Sequence, residues 1–458
     1  MPRAVRLLPL LLAILSCRLA GSSVVATPPV PAVAQLQAPS PTHTAVPEAA
    51  YIPPACVGLP RGTAAPALVP TPTQIGADLT PIDLDTQLRV LDAVGERVRS
   101  VYVYPDFGGL DWEASVQAVR AKVRAGMDTS TFYRELDHLI SSLGDEHSKF
   151  ESPVEVAASE AELQGDNEYV GVGVLGRPLP EKGRLGVLAV FPGSPAFFGG
   201  LLPHDSILAL DGIPVVTEGV AHPERLRGPA CSEVVLSVES PGQNTREIRL
   251  VRTSVSGPIP IESHLVPAED GRRIGYIFLP TFFDKQIPAQ VEQALHGFGE
   301  LDGLILDNRM NGGGSSSVLE PVLGLFASGR VGSYLDRDGQ RPLEISPHPI
   351  NNSQTVALAV LIGPDTVSYG EVFAGILRDI GRAVLVGEPT AGNVETLHGY
   401  SFEDGSRLWI AEESFDPAVS HANWEAEGLV PDVRVEGAWE DFSFEQDPTV
   451  AAALRALP

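Results

Sequence analysis

Apolar residues in the first part of the folded sequence recur at helical spacing. Leu84, Leu88, Leu91, Val94, Val98 and Val101 mark one helix. Trp112, Val116, Val119 and Val123 mark a second, and Phe132, Leu136, Leu139, Ile140 and Leu143 a third. They predict a small helical domain over 78–155. The period then shortens. Short apolar runs at Val170–Leu175, Leu185–Phe191, Ser206–Leu210, Val234–Val238 and Arg246–Val251, divided by Gly, Pro and Asp-Gly turns, predict a β domain over 166–253. Beyond it, strands at Ile274–Leu279, Leu304–Leu306, Val356–Ile362 and Ala383–Val386 alternate with helices over 287–298, 315–327 and 369–380. That order predicts an α/β core over 254–458, with Val356–Ile362 apolar enough to be buried on both faces.

The first residues follow a different pattern. Arg3 and Arg6 precede the apolar run Leu7–Leu15, which is signal-peptide length and short for a membrane span. An export signal is expected over 1–22. Ile-Leu-Ser-Cys (14–17) resembles a bacterial lipobox, so the chain is either lipidated at Cys17 or cleaved, as after Ala26. Residues 23–77 are rich in Pro, Ala, Thr and Val without periodicity, and are expected to form a disordered, extended tether. The mature protein is therefore expected outside the cytoplasm: secreted, periplasmic or held at the cell surface through Cys17.

Composition narrows the chemistry. In 458 residues, 32 basic and 58 acidic side chains give a net charge of −26, which opposes nucleic-acid binding. Three cysteines, Cys17, Cys56 and Cys231, exclude an all-cysteine zinc site. In an oxidising compartment Cys56 and Cys231 are available to pair, though their spacing does not predict it. Lysine occurs only at 122, 149, 182 and 285.

Three segments carry candidate chemistry. Asp-Thr-Val-Ser-Tyr-Gly-Glu (365–371) follows the buried strand and opens a helix, where the macrodipole stabilises an alkoxide or oxyanion. Ser368 there is either a nucleophile or an ordinary N-cap. The Tyr369 amide is placed to meet a developing oxyanion. Asp-Asn-Arg-Met-Asn-Gly-Gly-Gly (307–314) follows another strand, and its glycines allow backbone amides to form an anion nest, with Gly313 or Gly314 as donor. In Leu-Gly-Asp-Glu-His-Ser (143–148), His147 has Asp145, Glu146 and Ser148 as neighbours able to orient its ring.

Taken in order, these segments resemble the C-terminal processing peptidases, or tail-specific proteases, and their tricorn-core relatives. The resemblance spans about residues 78–458. It includes Gly-Arg-Ala-Val-Leu-Val-Gly-Glu-Pro-Thr-Ala-Gly (381–392) and Asn-Trp-Glu-Ala-Glu-Gly-Leu-Val-Pro-Asp (423–432). It implies a multidomain α+β chain: a helical domain, a PDZ-like β domain and an α/β protease core of the ClpP/crotonase-like kind. The middle domain resembles a protease-associated PDZ domain through Tyr-Val-Gly-Val-Gly (169–173), Pro-Gly-Ser-Pro-Ala (192–196) and Asp-Ser-Ile-Leu-Ala-Leu-Asp-Gly (205–212). Such a domain captures a chain end by strand addition, with amides near Val170, Gly171, Val172 and Gly173 receiving the terminal carboxylate. The implied partners are protein or peptide substrates with a free C-terminus.

In the processing branch a lysine 25 residues beyond the serine is the base, and here that place is Asn393. An amide has no basic lone pair near neutral pH. The tricorn branch uses a histidine from the helical region and a glutamate, matched here by His147 and Glu425. The resemblance therefore implies a serine endopeptidase with Ser368 as nucleophile, His147 as base, Glu425 as polar orienter, and Gly313 and Tyr369 amides as oxyanion donors. No metal or organic cofactor is implied. His398, five residues past Asn393, is the rival base. Asp379 is expected to be solvated or capping, and Trp424 to be packing. A catalytically silent PDZ scaffold is the alternative.

Overall fold

The computed structural model describes residues 51–58, 79–145, 147–157, 169–267 and 271–458. The expected export signal and most of the expected tether lie outside them. Within the expected tether, 51–58 is ordered against the middle sheet: Pro54–Cys56 is a 3-10 turn, Cys56 is disulfide-bonded to Cys231, and Tyr51 stacks on Phe198 at 3.9 Å. Over these residues the disordered expectation is corrected, because a covalent bond and an aromatic contact hold the backbone.

The three helices form at Leu84–Val101, Trp112–Ala125 and Thr129–Ser141. Each starts on an aspartate, Asp83, Asp111 or Asp128, whose carboxylate accepts a first-turn amide. Their apolar faces meet around Leu91, Val94, Trp112, Phe132, Leu136 and Ile140. Phe150, Leu408, Ile410 and Ala411 complete that core from strands distant in sequence. The helical layer is thus closed by the C-terminal part of the chain.

The middle sheet is antiparallel, in the order Arg246–Val251, Glu233–Glu239, Ser206–Leu210, Arg184–Val190, Val174–Leu179. The expected strand Val170–Leu175 is broken into Tyr169–Gly171 and Val174–Leu179. The break falls at Gly173, which has φ +87° and lies against Ser194 with no room for a Cβ. Tyr169–Gly171 pairs instead with Thr253–Val255.

The third sheet runs Ser263–Val266, Ile274–Phe278, Gly303–Asp307, Ala357–Ile362, Ala383–Gly387, Val433–Arg434, parallel except for its first strand. Its two faces read out by alternation. Leu304, Leu306, Leu358, Val360 and Ile362 face the helices Ile287–Phe298, Ser316–Phe326 and Tyr369–Asp379. Ile305, Ala359 and Leu361 face the helix Pro448–Ala456 and residues Leu179 and Leu188 of the middle sheet. A further sheet gathers Lys149–Glu151, Arg407–Pro417, Gly329–Leu335, Gln340–Ile345 and Thr396–Ser401.

Candidate active site

Ser368 stands where the central strand Ala357–Ile362 ends and the helix Tyr369–Asp379 begins. Its backbone has φ +57° and ψ −128°, a conformation that costs a non-glycine residue about 1–3 kcal/mol. Although it occupies the N-cap position, its hydroxyl makes no capping bond. The turn is held by its neighbours instead. Thr366 Oγ1 accepts from Gly363 N at 3.0 Å and donates to Asn308 O at 3.0 Å. Val367 N donates to Asn311 O at 3.0 Å, and Asn308 Nδ2 donates to Gly370 O at 2.8 Å. The glycine loop and the serine turn are therefore laced together, with Gly313 against Ser368. A Cβ on Gly313 would lie 2.8 Å from Ser368 Cβ and 3.1 Å from its Oγ.

Beneath this loop lies a buried ion triad. Arg309 Nη2 is 2.6 Å from both Asp307 Oδ2 and Asp447 Oδ2, and Tyr276 donates to Asp307 at 2.9 Å. Asp307 is strongly pushed up by burial, but the Arg309 charge and hydrogen bonds leave it below the usual carboxylate range. The triad fixes the end of the strand Gly303–Asp307, from which the glycine loop departs.

Of the two expected oxyanion donors, Tyr369 N has no acceptor among the described residues. Gly313 is different: its N–H donates to Asn311 Oδ1 at 2.9 Å. The expectation for Gly313 is corrected for this state, because its amide already has an internal acceptor and must leave it to reach a ligand.

His147 sits on the turn before the strand Lys149–Glu151. Asp145 accepts from His147 N at 3.1 Å, from Ser148 N at 2.8 Å and from Ser148 Oγ at 2.6 Å. Ser148 Oγ in turn accepts from Ala411 N at 3.0 Å. Asp145 and Ser148 thus shape the backbone that carries the histidine, not its ring. Glu146 lies outside the described residues.

The ring faces a residue that the motifs did not single out. His147 Nδ1 is 3.5 Å from Glu395 Oε2, an ion-pair distance, and both atoms are buried without a hydrogen-bond partner. Tyr104 donates to Glu395 Oε1 at 2.7 Å. Glu425 is the second carboxyl acting on Glu395, and its Oε2 accepts from Val394 N at 2.6 Å. Burial and the neighbouring Glu395 push Glu425 up to about 8. Burial pushes Glu395 up too, but the adjacent His147, Glu425 and Tyr104 side chains outweigh it and leave the group below its usual value. Glu425, expected as the orienter, therefore reaches the histidine only through Glu395.

Asn393, the place of the expected lysine, is strapped to the serine helix. Glu371 in the first turn accepts from Gly392 N at 3.0 Å and Asn393 N at 2.9 Å. Asn393 Oδ1 is buried without a partner. Lys122, Lys149 and Lys182 pair elsewhere, with Glu135, Glu151 and Glu440. Among the described residues, Ser368 Oγ makes no hydrogen bond to His147 or to any other side chain. The 388–395 loop bonds to the serine helix through Glu371 and meets His147 at Glu395.

Residues 273–435, which span the serine turn, the glycine loop and both glutamates, match peptidase family S41. The chain carries a serine-type S41 peptidase domain. It is similar to the carboxyl-terminal-processing protease of Synechocystis, 29% identical over 330 residues that cover 71% of this chain and 76% of the relative. It is also similar to carboxyl-terminal-processing peptidase 3 of Arabidopsis thaliana, 27% identical with 77% and 69% covered. Among solved structures it resembles a photosystem II D1 C-terminal processing protease, with a TM-score of 0.55, 25% identity, 81% of this chain covered and 97% of the other.

The remaining candidates fall outside the serine turn. His398 lies on the strand Thr396–Ser401 with Nε2 3.1 Å from Glu413 Oε2, a bond that raises its pKa. Glu413 also holds Arg341, so His398 belongs to a half-exposed ionic cluster at the sheet edge. Asp379 accepts from Val419 N and Ser420 N at 2.8 and 2.9 Å. Trp424 is buried, stacks on Phe415 at 5.6 Å and covers Gly375.

In the middle sheet, Val170 pairs with Ser254, and its carbonyl accepts from Gly228 N at 3.2 Å. Val172 O accepts from Ala196 N at 2.8 Å, and Gly173 O from Phe191 N at 3.0 Å. The adjoining strand Val174–Leu179 is an edge, paired on one side only. Arg177 on that edge donates to Asp365 Oδ1 at 3.0 Å, and lies against Gly312.

Proposed function

We propose that this S41 peptidase is an exported serine endopeptidase of the C-terminal processing type, with Ser368 as nucleophile and a histidine, His147, as base. The observation that carries the reading is Ser368 itself: a strained N-cap residue whose hydroxyl is released from capping and faces a glycine loop. The Ser368 oxygen attacks the scissile carbonyl carbon and its proton passes to His147 Nε2. The tetrahedral oxyanion is met by the Tyr369 amide at the positive end of its helix, and by the Gly313 amide once freed from Asn311. The carbon–nitrogen bond breaks as His147 protonates the leaving amine. Water, deprotonated by the same ring, then releases the acyl group. Substrate binding has to bring His147 Nε2 to Ser368 Oγ, because catalytic bonds tighten in the substrate complex.

The middle domain is read as PDZ-like, and the core as ClpP/crotonase-like. Val170, Gly171, Val172 and Gly173 would receive a substrate's terminal carboxylate, and the edge Val174–Leu179 its backbone. The Cys56–Cys231 bond supports an oxidising, extracytoplasmic location. The expected Cys17 tether lies outside the described residues. A silent scaffold on the same fold is the second reading, favoured by the missing contact between Ser368 and any base. A fluorophosphonate probe separates the two: Ser368 labels in the enzyme and stays unlabelled in the scaffold. Ser368→Ala and His147→Ala should each abolish casein hydrolysis while leaving the fold intact. Turnover retained in a folded Ser368→Ala protein ends the proposal.

A further inference from the structure

Glu395 is buried to 2% exposure two residues past Asn393 and outside every motif singled out in the sequence, yet it is the only described carboxylate in contact with the His147 ring. A carboxylate is not buried without cause, since desolvation costs several kcal/mol unless partners compensate. Three partners converge on this one from separate elements. His147 comes from the turn before Lys149–Glu151, Tyr104 from the segment after Leu84–Val101, and Glu425 from Trp424–Glu427. Tyr102 and Glu371 are the further titratable groups acting on the pair.

We infer that Glu395 is the positioning residue for His147, holding Nδ1 inward so that Nε2 is the nitrogen that exchanges protons at Ser368, while Glu425 and Tyr104 lock Glu395 in place. This rests on the reading of His147 as the base. The chemistry is that of a buried carboxylate behind a catalytic imidazole: it fixes the tautomer and stabilises the imidazolium that forms when the serine proton arrives. Two carboxyl groups in contact cannot both ionise readily, so they hold one proton between them. Glu425 keeps that proton and donates it to Glu395, which remains the anion facing the ring. Glu425 matches the glutamate of the related branch in sequence, but here it acts one carboxylate removed.

The test compares wild type with Glu395→Gln, Tyr104→Phe and His147→Ala, using the rate of fluorophosphonate labelling at Ser368 and casein turnover across pH. Glu395→Gln should lower labelling and kcat by on the order of 10²–10⁴-fold, with KM changed far less. The acidic limb of its rate profile should move to lower pH, because the anion that favours imidazolium is gone. Tyr104→Phe keeps the carboxylate and should lose about tenfold or less, with a smaller movement of the same limb. A folded Glu395→Gln protein that labels at the wild-type rate, or loses rate with an unmoved profile, overturns the proposal. If Glu395→Gln does not fold, an unmoved profile in Tyr104→Phe overturns it. Wild-type labelling in His147→Ala overturns both this inference and the base assignment, whereas a dead His147→Ala beside an active Glu395→Gln removes this inference alone.

Discussion

Backbone strain at Ser368 and proton sharing behind His147 are both departures from what a residue prefers in isolation. The strain is sustained by bonds its neighbours make, from Thr366 to Asn308 and from Val367 to Asn311. The shared proton has a measurable signature. Glu425 holds its proton to about 8 in the folded chain, against an ordinary 4.5 when unfolded. Between those values the folded state binds more protons than the unfolded one. This group's contribution to stability is therefore lost as pH rises through that window, and levels off above it. Glu425→Gln removes the titration. The melting temperature of the variant minus that of wild type should climb from about pH 5 to about pH 8.5. A difference that stays flat in differential scanning calorimetry would count against the carboxyl pair.

Elements with one strong period were legible in the sequence. The helix Ile287–Phe298 and the four central strands of the parallel sheet fall where apolar spacing put them, because each is buried along a continuous face, whereas its outer strands Ser263–Val266 and Val433–Arg434 were not assigned. The sheet built on Arg407–Pro417 was not assigned. Its strands alternate buried positions with Arg, Glu and Ser on a solvated face, and Gly329–Leu335 begins with an exposed glycine and arginine. The disulfide was equally hidden, since 175 residues separate its cysteines and only the folded middle sheet brings them together. It closes a long loop, so replacing Cys231 by Ser should lower stability by about 2–4 kcal/mol. Thermal melts with and without reductant check this: the variant should melt lower under oxidising conditions and match reduced wild type.

The helical layer and the peptidase core are joined through one core. Leu408, Ile410 and Ala411 complete the packing of the three helices, and Ala411 N fixes Ser148 in the turn that carries His147. The proposed base is thus positioned by a strand more than 260 residues downstream. A fragment of residues 79–157 lacks those side chains, and its apolar faces stay open. It should show weak, non-cooperative thermal unfolding by circular dichroism; a sharp two-state melt would mean that the layer is self-sufficient.

Sequence alone determined which segments are candidates for chemistry. A serine at a helix start, a triple glycine after a strand, and a histidine in an acidic turn are local patterns, and local geometry makes each of them readable. It also determined that Asn393 cannot serve as a base, because that is a property of the amide. Tertiary structure decided the partners. Only the folded chain brings Glu395 to His147 and Glu425 to Glu395, and it turns the Gly313 amide to Asn311. A contact between residues as far apart in the chain as His147 and Glu395 leaves no spacing in the sequence, so chain folding alone decides which carboxylate stands behind the imidazole.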